Sequence, residues 1–145
     1  MWFVQDATQK YTQQMTLIRN TLQVRQSIDF TGVESGNVHP TDIDAVLEFD
    51  NKILILIEVK RKGNALPVGQ RLLLERLTDS WHTGKAISLV VEHSFKNDHK
   101  DIPLAECHVT KAYYKSKWTN KTKPLLQTLK DIAHKWEIKK LKNLP

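Results

Sequence analysis

The sequence predicts an α/β domain, and three observations carry that expectation. Two nearly unbroken aliphatic runs, "ILILIEVK" from residue 53 and "AISLVVEH" from residue 86, have the length and branching of buried strands. Three other segments repeat apolar residues with helical spacing. Helical and extended segments alternate along the chain, which places helices against a small sheet.

The first helical stripe is Tyr11, Met15, Ile18 and Leu22. Residues 29–40 hold two glycines, a proline and small polar side chains, and read as a loop. Two strands follow, "TDIDAVLEF" and "KILILIEVK", joined through "DNK" as a hairpin. After "NALPVG" comes a second helix, with Leu73, Leu74, Leu77 and Trp81 on its inner side. Residues 86–93 form a central strand. "AECHVTKAYYKSKW" alternates more loosely and reads as one further strand. The last helix starts at Pro124, a residue suited to a first helical turn, and buries Leu125, Leu129, Ile132 and Trp136. The expected order is α-β-β-α-β-β-α within a single domain spanning 1–145.

The 145 residues suit one core, with 40% hydrophobic residues. The longest apolar run is five residues, far short of the roughly 20 that cross a bilayer. The N-terminal residues do not have the charged-then-apolar pattern of a signal peptide. Cys107 is the only cysteine, so no intrachain disulfide can form and a reducing cytoplasm is expected. The net charge of +6 is uneven: residues 111–145 carry ten lysines against Asp131 and Glu137. Such a basic segment either meets a polyanion or simply solvates a surface.

The hairpin raises the sharpest question, because Glu58 and Lys60 end a strand that is otherwise aliphatic. Opposite residues in a strand pair share a face. With only Asp50 and Asn51 in the loop, Asp44 would face Ile57. With Lys52 added to the loop, Asp44 faces Glu58 and Asp42 faces Lys60. The second register gathers Ile43, Ala45, Leu47, Phe49, Ile53, Ile55, Ile57 and Val59 on one face. A slip by one residue would mix apolar and polar sets, so this register is expected. Glu48, near the turn, reads as a surface carboxylate.

Two carboxylates opposed across a strand pair repel unless a cation joins them. Mg²⁺ takes oxygen ligands and needs only one or two protein carboxylates. A lysine alongside can stabilise charge developing on a phosphate. Two acids, a divalent cation and a lysine make a site for phosphodiester hydrolysis. The bland alternative is an ion pair at a strand end.

"TDIDAVLEF…ILILIEVKRKG" resembles the core of the PD-(D/E)xK nuclease superfamily. The shared pattern is an acid at the start of one strand, a hairpin, and an acid-x-lysine after an apolar run. Asp44 matches best and Asp42 is the alternate acid; Pro40 is followed by Thr41 rather than by aspartate. The resemblance is specific over residues 40–60 and looser to about residue 92. It implies a restriction-endonuclease-like core, a small mixed β-sheet flanked by helices. It implies Mg²⁺ or Mn²⁺ held by Asp44, Glu58 and the carbonyl of Val59, with Lys60 positioning water. Gln70 matches a glutamine found in the corresponding helix of some branches, and would assist; it would otherwise satisfy backbone groups at the helix start. The first helical segment offers Gln13 and Gln14 but no acid beyond Asp6 for a second metal.

The activity implied is DNA hydrolysis, structure-selective or weakly sequence-specific, in recombination, repair or phage DNA processing, with a homodimer reaching two strands. The rival is a nucleic-acid-binding protein that keeps the fold without cutting. Arg61, Lys62, Lys115 and Lys117 are candidate phosphate contacts, the last two interleaved with Tyr113, Tyr114 and Trp118. Core packing is the competing role for those aromatics. His39, His82, His93, His99, His108 and His134 have no zinc spacing with Cys107.

Overall fold

The computed structural model describes residues 29–34, 36, 40–96 and 101–145. The expected first helix, with Gln13 and Gln14, and the loop residue His39 lie outside the described residues. Contacts divide the chain into two compact units, Met1–Pro40 and Thr41–Pro145. In the first, Asp29 accepts bonds from the backbone N–H and hydroxyl of Thr31 in a tight turn closed by Val33 N to Phe30 O.

The second unit is α/β, with a five-stranded mixed sheet and two α-helices. Its elements are β1 (Ala45–Phe49), β2 (Ile53–Arg61), α1 (Val68–Ser80), β3 (Ala86–His93), β4 (His108–Tyr114), β5 (Lys117–Pro124) and α2 (Leu125–Lys135). Short 3₁₀ turns lie at Leu104–Glu106 and Lys139–Leu141. The strands lie side by side in chain order. Only β2 and β3 run parallel, joined by the crossover through α1. Among the described residues no helix is long and apolar enough to cross a membrane.

The β1–β2 register is the one that the three-residue loop requires, with Ala45 opposite Ile57 and Phe49 opposite Ile53. The turn explains it. Asp50 and Asn51 both adopt left-handed backbone, at φ 53° and 57°, residue types that tolerate this region better than most. Lys52 N donates to Phe49 O at 2.9 Å, and Lys52 is then the extra residue before pairing resumes. The Glu48 carboxylate, expected merely to sit at the surface, accepts from Asn51 N at 2.7 Å and braces the turn.

The sheet buries both faces. Ile53, Ile55, Ile57, Leu89, Val91, Val109 and Ala112 meet Leu125, Leu129, Ile132 and Ala133 of α2. On the other face, Leu54, Leu56 and Ala86 meet Leu74 of α1. Ile43 departs from the expected face. The chain bends at Asp44, before β1 begins, so strict alternation stops there and Ile43 packs with the α1 cluster.

The segment expected as one strand over 105–118 is a hairpin. Lys115 and Ser116 turn the chain at φ 51° and 60°, and β5 returns beside β4. Neither residue type favours left-handed backbone, which is why the break is hard to read. The order in the described unit is therefore β-β-α-β-β-β-α. The last helix is also shorter than expected. It ends at Lys135, where Glu137 turns left-handed at φ 55° and Ile138 N reaches back to Ala133 O at 2.8 Å. That pattern is a Schellman stop.

The turn yields a test. Asn51→Val should cost about 1–2 kcal/mol, because a β-branched side chain clashes in left-handed backbone. Asn51→Gly should be neutral or stabilising by a few tenths. Urea unfolding of the two variants beside wild type measures both.

Candidate functional site

The site forms where the β1 ladder ends and β2 continues. The last β1–β2 pair is Ala45 and Ile57. Beyond it the Val59 N–H, aimed at the β1 edge, donates to Asp44 Oδ2 at 2.7 Å. A side-chain carboxylate thus takes the place of a strand carbonyl and pins Asp44 beside the next residue of β2, Glu58. The N–H and C=O of a residue in a strand point to the same edge. The Val59 carbonyl therefore lies on the Asp44 side, past the end of the ladder.

Glu58 is 3% exposed, a buried carboxylate on the α1 face of the sheet. Its carboxyl is pushed up to about 7, first by burial and then by the negative charge of Asp44, with Lys60 opposing. Lys60 Nζ lies 3.5 Å from Glu58 Oε2 and donates to Gln70 Oε1 at 2.7 Å. Gln70 occupies the first turn of α1, so the helix and the strand fix the ammonium between them.

Four of the expected residues, Asp44, Glu58, Lys60 and Gln70, are therefore brought together, with Val59 at the edge. Asp42 is not part of the cluster's bonding. It is exposed and precedes the bend, and Lys60 pairs with Glu58 and Gln70 instead of the expected Asp42. Arg61 and Lys62 follow on the same strand end, both exposed. Alternation sends Arg61 to the opposite face from Lys60, and Lys62 N bonds His93 O at 2.8 Å as the chain leaves the sheet.

Lys115 and Lys117 are elsewhere. The register runs Leu56, Ser88, Tyr113, Trp118 across the sheet, so the β4–β5 turn lies toward the start of β2. The level of Lys117 is five residues from that of Lys60, about 16 Å along the strands. Lys117 instead lines a groove of about 410 Å³ on the α2 face, with Lys121, Lys123 and Lys135. Lysines along β5 also blunt an edge strand against unwanted pairing. Of the aromatics, Tyr113 donates to Asp79 at 2.8 Å and Trp118 Nε1 to Glu75 at 2.6 Å. Tyr114 packs against Trp136 at 5.7 Å. Tyr113 and Trp118 also meet each other, with ring centroids 5.1 Å apart.

The donor set suits a divalent cation by its chemistry. A carboxyl raised in pKa first by burial and then by an adjacent carboxylate is relieved by a positive charge placed between the two acids. Among the described residues no group of three or more His, Cys, Asp or Glu side chains gathers as a metal cage. The set here is two carboxylates and a backbone carbonyl.

Comparison with protein-family models finds no match, and comparison with curated proteins and with solved structures likewise finds none.

Sequence reading missed the anchors of α1 to β4 and β5. Glu75, Asp79, Tyr113 and Trp118 are ordinary residues of their types. Their pairing depends on the concealed β4–β5 hairpin and on a bulge between Val109 and Lys111.

Glu58 sets a pH dependence in metal-free protein. Its carboxyl ionises near 4.5 when unfolded and near 7 when folded. Between those values the folded state holds the extra proton, so stability is present at the acid end and is lost as pH rises through about 7. With chelator present, wild type should lose on the order of 1–3 kcal/mol more than Glu58→Gln between pH 4.5 and 8. Urea unfolding at several pH values, read as the difference between the two proteins, checks it.

Proposed function

We propose that this protein is a metal-dependent phosphodiester hydrolase acting on DNA, with a restriction-endonuclease-like core. The observation that carries the reading is the convergence of Asp44, Glu58 and Lys60 at the open end of β2, with Gln70 holding the lysine. The hairpin, the helix-containing crossover and the acid-x-lysine motif together support the resemblance to PD-(D/E)xK nucleases.

Asp44, Glu58 and the Val59 carbonyl would hold Mg²⁺ or Mn²⁺. Such an ion, when bound, supplies Lewis acidity toward a phosphate and lowers the pKa of water. The chain's own contributions are distinct. Lys60 places a fixed positive charge, largely shielded from solvent, where negative charge develops on the phosphate, and it orients the attacking water. Gln70 is a positioning residue: it accepts from Lys60 and keeps the ammonium from collapsing wholly onto Glu58. Asp44, fixed by Val59 N, sets the spacing of the carboxylates.

DNA is the substrate class that the resemblance implies, with structure-selective or weakly sequence-specific cutting. Roles in recombination, repair or phage DNA processing fit such an activity. A homodimer would present two sites to two strands.

Cleavage of single-stranded, duplex and branched DNA with Mg²⁺ or Mn²⁺ tests the proposal, with RNA in parallel. Chelator should abolish cutting. Lys60→Ala should lower kcat by about 10²–10³-fold, the cost of losing one electrostatic stabiliser, and Asp44→Ala and Glu58→Ala at least as much. Retained DNA binding with no cutting of any substrate by wild type would instead establish a non-cleaving nucleic-acid-binding protein.

A further inference from the structure

The α1 face of the sheet holds a second feature beside the carboxylates. Opposite residues across the strands give two rows on this face. The inner row, Leu56, Ser88, Tyr113 and Trp118, lies under α1. There Thr78 bonds Ser88 at 2.7 Å, Asp79 accepts from Tyr113, and Glu75 accepts from Trp118. The next row is Glu58, Val90, Lys111 and Asn120. In it Glu58 and Val90 are buried, while Lys111 and Asn120 are exposed.

Val90, Lys111 and Asn120 of that row floor a groove of about 370 Å³, lined also by Asn64, Arg71, Glu92 and Trp118. Val90 and Glu92 of this groove are the direct β3 neighbours of Glu58 and Lys60, so the groove begins one strand away from the candidate site. From Glu58 to Asn120 is three strand spacings, about 14 Å. The walls are apolar and aromatic below, with the Lys111 ammonium exposed at the floor and the Arg71 guanidinium at the helix side. Arg71 is held by Glu75 at 2.8 Å, and Glu75 also takes the indole N–H of Trp118. The indole is thereby fixed in orientation before any ligand arrives.

We propose that this groove binds a single strand of DNA flanking the phosphate that is cut, with Lys111 pairing a neighbouring backbone phosphate and Trp118 offering its face to a base. The proposal rests on the reading of Glu58 and Lys60 as the cutting centre. A narrow groove with one cationic floor residue and a rigid indole matches how single strands are held, by backbone charge and base stacking. Asn64 and Asn120 add amide donors and acceptors at the rim. A site fed by such a groove would favour an unpaired strand, the property that makes a nuclease structure-selective.

The test is fluorescence anisotropy of a labelled ten-nucleotide single-stranded DNA, in chelator so that nothing is cut. Wild type, Lys111→Ala, Lys111→Arg and Lys139→Ala are compared over a range of salt, with circular dichroism confirming each fold. Lys111→Ala should weaken binding about five- to tenfold and reduce the slope of log affinity against log salt by about 0.7, the loss of one phosphate contact on a single strand. Lys111→Arg should retain most of the affinity. Lys139→Ala removes the same charge away from the groove and should change neither quantity by a comparable amount. An equal loss from Lys139→Ala, no loss from Lys111→Ala, or tighter binding of duplex than of single strand would overturn the proposal. Binding through Lys111 without any cutting in Mn²⁺ would overturn the hydrolase reading and leave the groove standing.

Discussion

The candidate site depends on the parity of one turn. Because side chains alternate, a hairpin loop of odd length and one of even length give opposite partners to every residue of β1. Lys52, inserted after the left-handed pair Asp50 and Asn51, makes the loop odd. Everything else on the hairpin follows from it. Ile53, Ile55 and Ile57 turn together toward α2, and Leu54 and Leu56 toward α1. Glu58, one step on, must then share the α1 face and stand across from Asp44. The alternative register would turn Val46 and Glu48 of β1, in place of Ala45, Leu47 and Phe49, to the α2 face beside Ile53, Ile55 and Ile57.

Burial of Glu58 is the second consequence. A carboxyl 3% exposed beside another carboxylate is poorly solvated as an anion. The fold answers with three contacts of different kinds. Val59 N binds Asp44 and keeps its charge at the edge, Lys60 supplies a counter-charge, and Gln70 shares that lysine. The lysine is not fully committed to Glu58, since its shorter contact is to neutral Gln70. Within the cluster Lys60 is thus shared between an acid and a neutral amide.

Much of this was legible in the sequence because β2 and β3 are strongly patterned and the hairpin parity has only one apolar solution. The residues 86–93 expected as a central strand are β3, in the middle of the sheet. Legibility failed where pattern gives way to geometry. Alternation was carried through Asp44, although the bend there frees Ile43 and Asp42 from the ladder. Residues 108–124 hide a hairpin turned by Lys115 and Ser116, and a bulge at Val109 and Lys111 breaks period two within it. Lys111 could not be assigned to the Glu58 row without both features. Lys115 and Lys117 stand out in the sequence by their interleaving with aromatics, and the same hairpin carries them to the far end of the sheet.

The helix that bears Gln70 shows why directional contacts matter more here than a leucine stripe. Leu77 was expected to be buried and is among the exposed large side chains, while Thr78 is buried in its place. Leu74 is the one leucine of α1 in the core. The inner edge of α1 is instead fastened by Thr78 to Ser88, Asp79 to Tyr113, Glu75 to Trp118 and Gln70 to Lys60. Apolar packing tolerates sliding and rotation, because neighbouring placements bury similar area. Hydrogen bonds between fixed groups do not, since a shift of an ångström leaves buried donors and acceptors unpaired. Four such contacts spaced along one helix fix both its rotation and its register on the sheet. That precision is what a site needs when one side chain on the helix must meet an ammonium on a strand, and it accounts for polar residues on a surface where leucine would pack more simply.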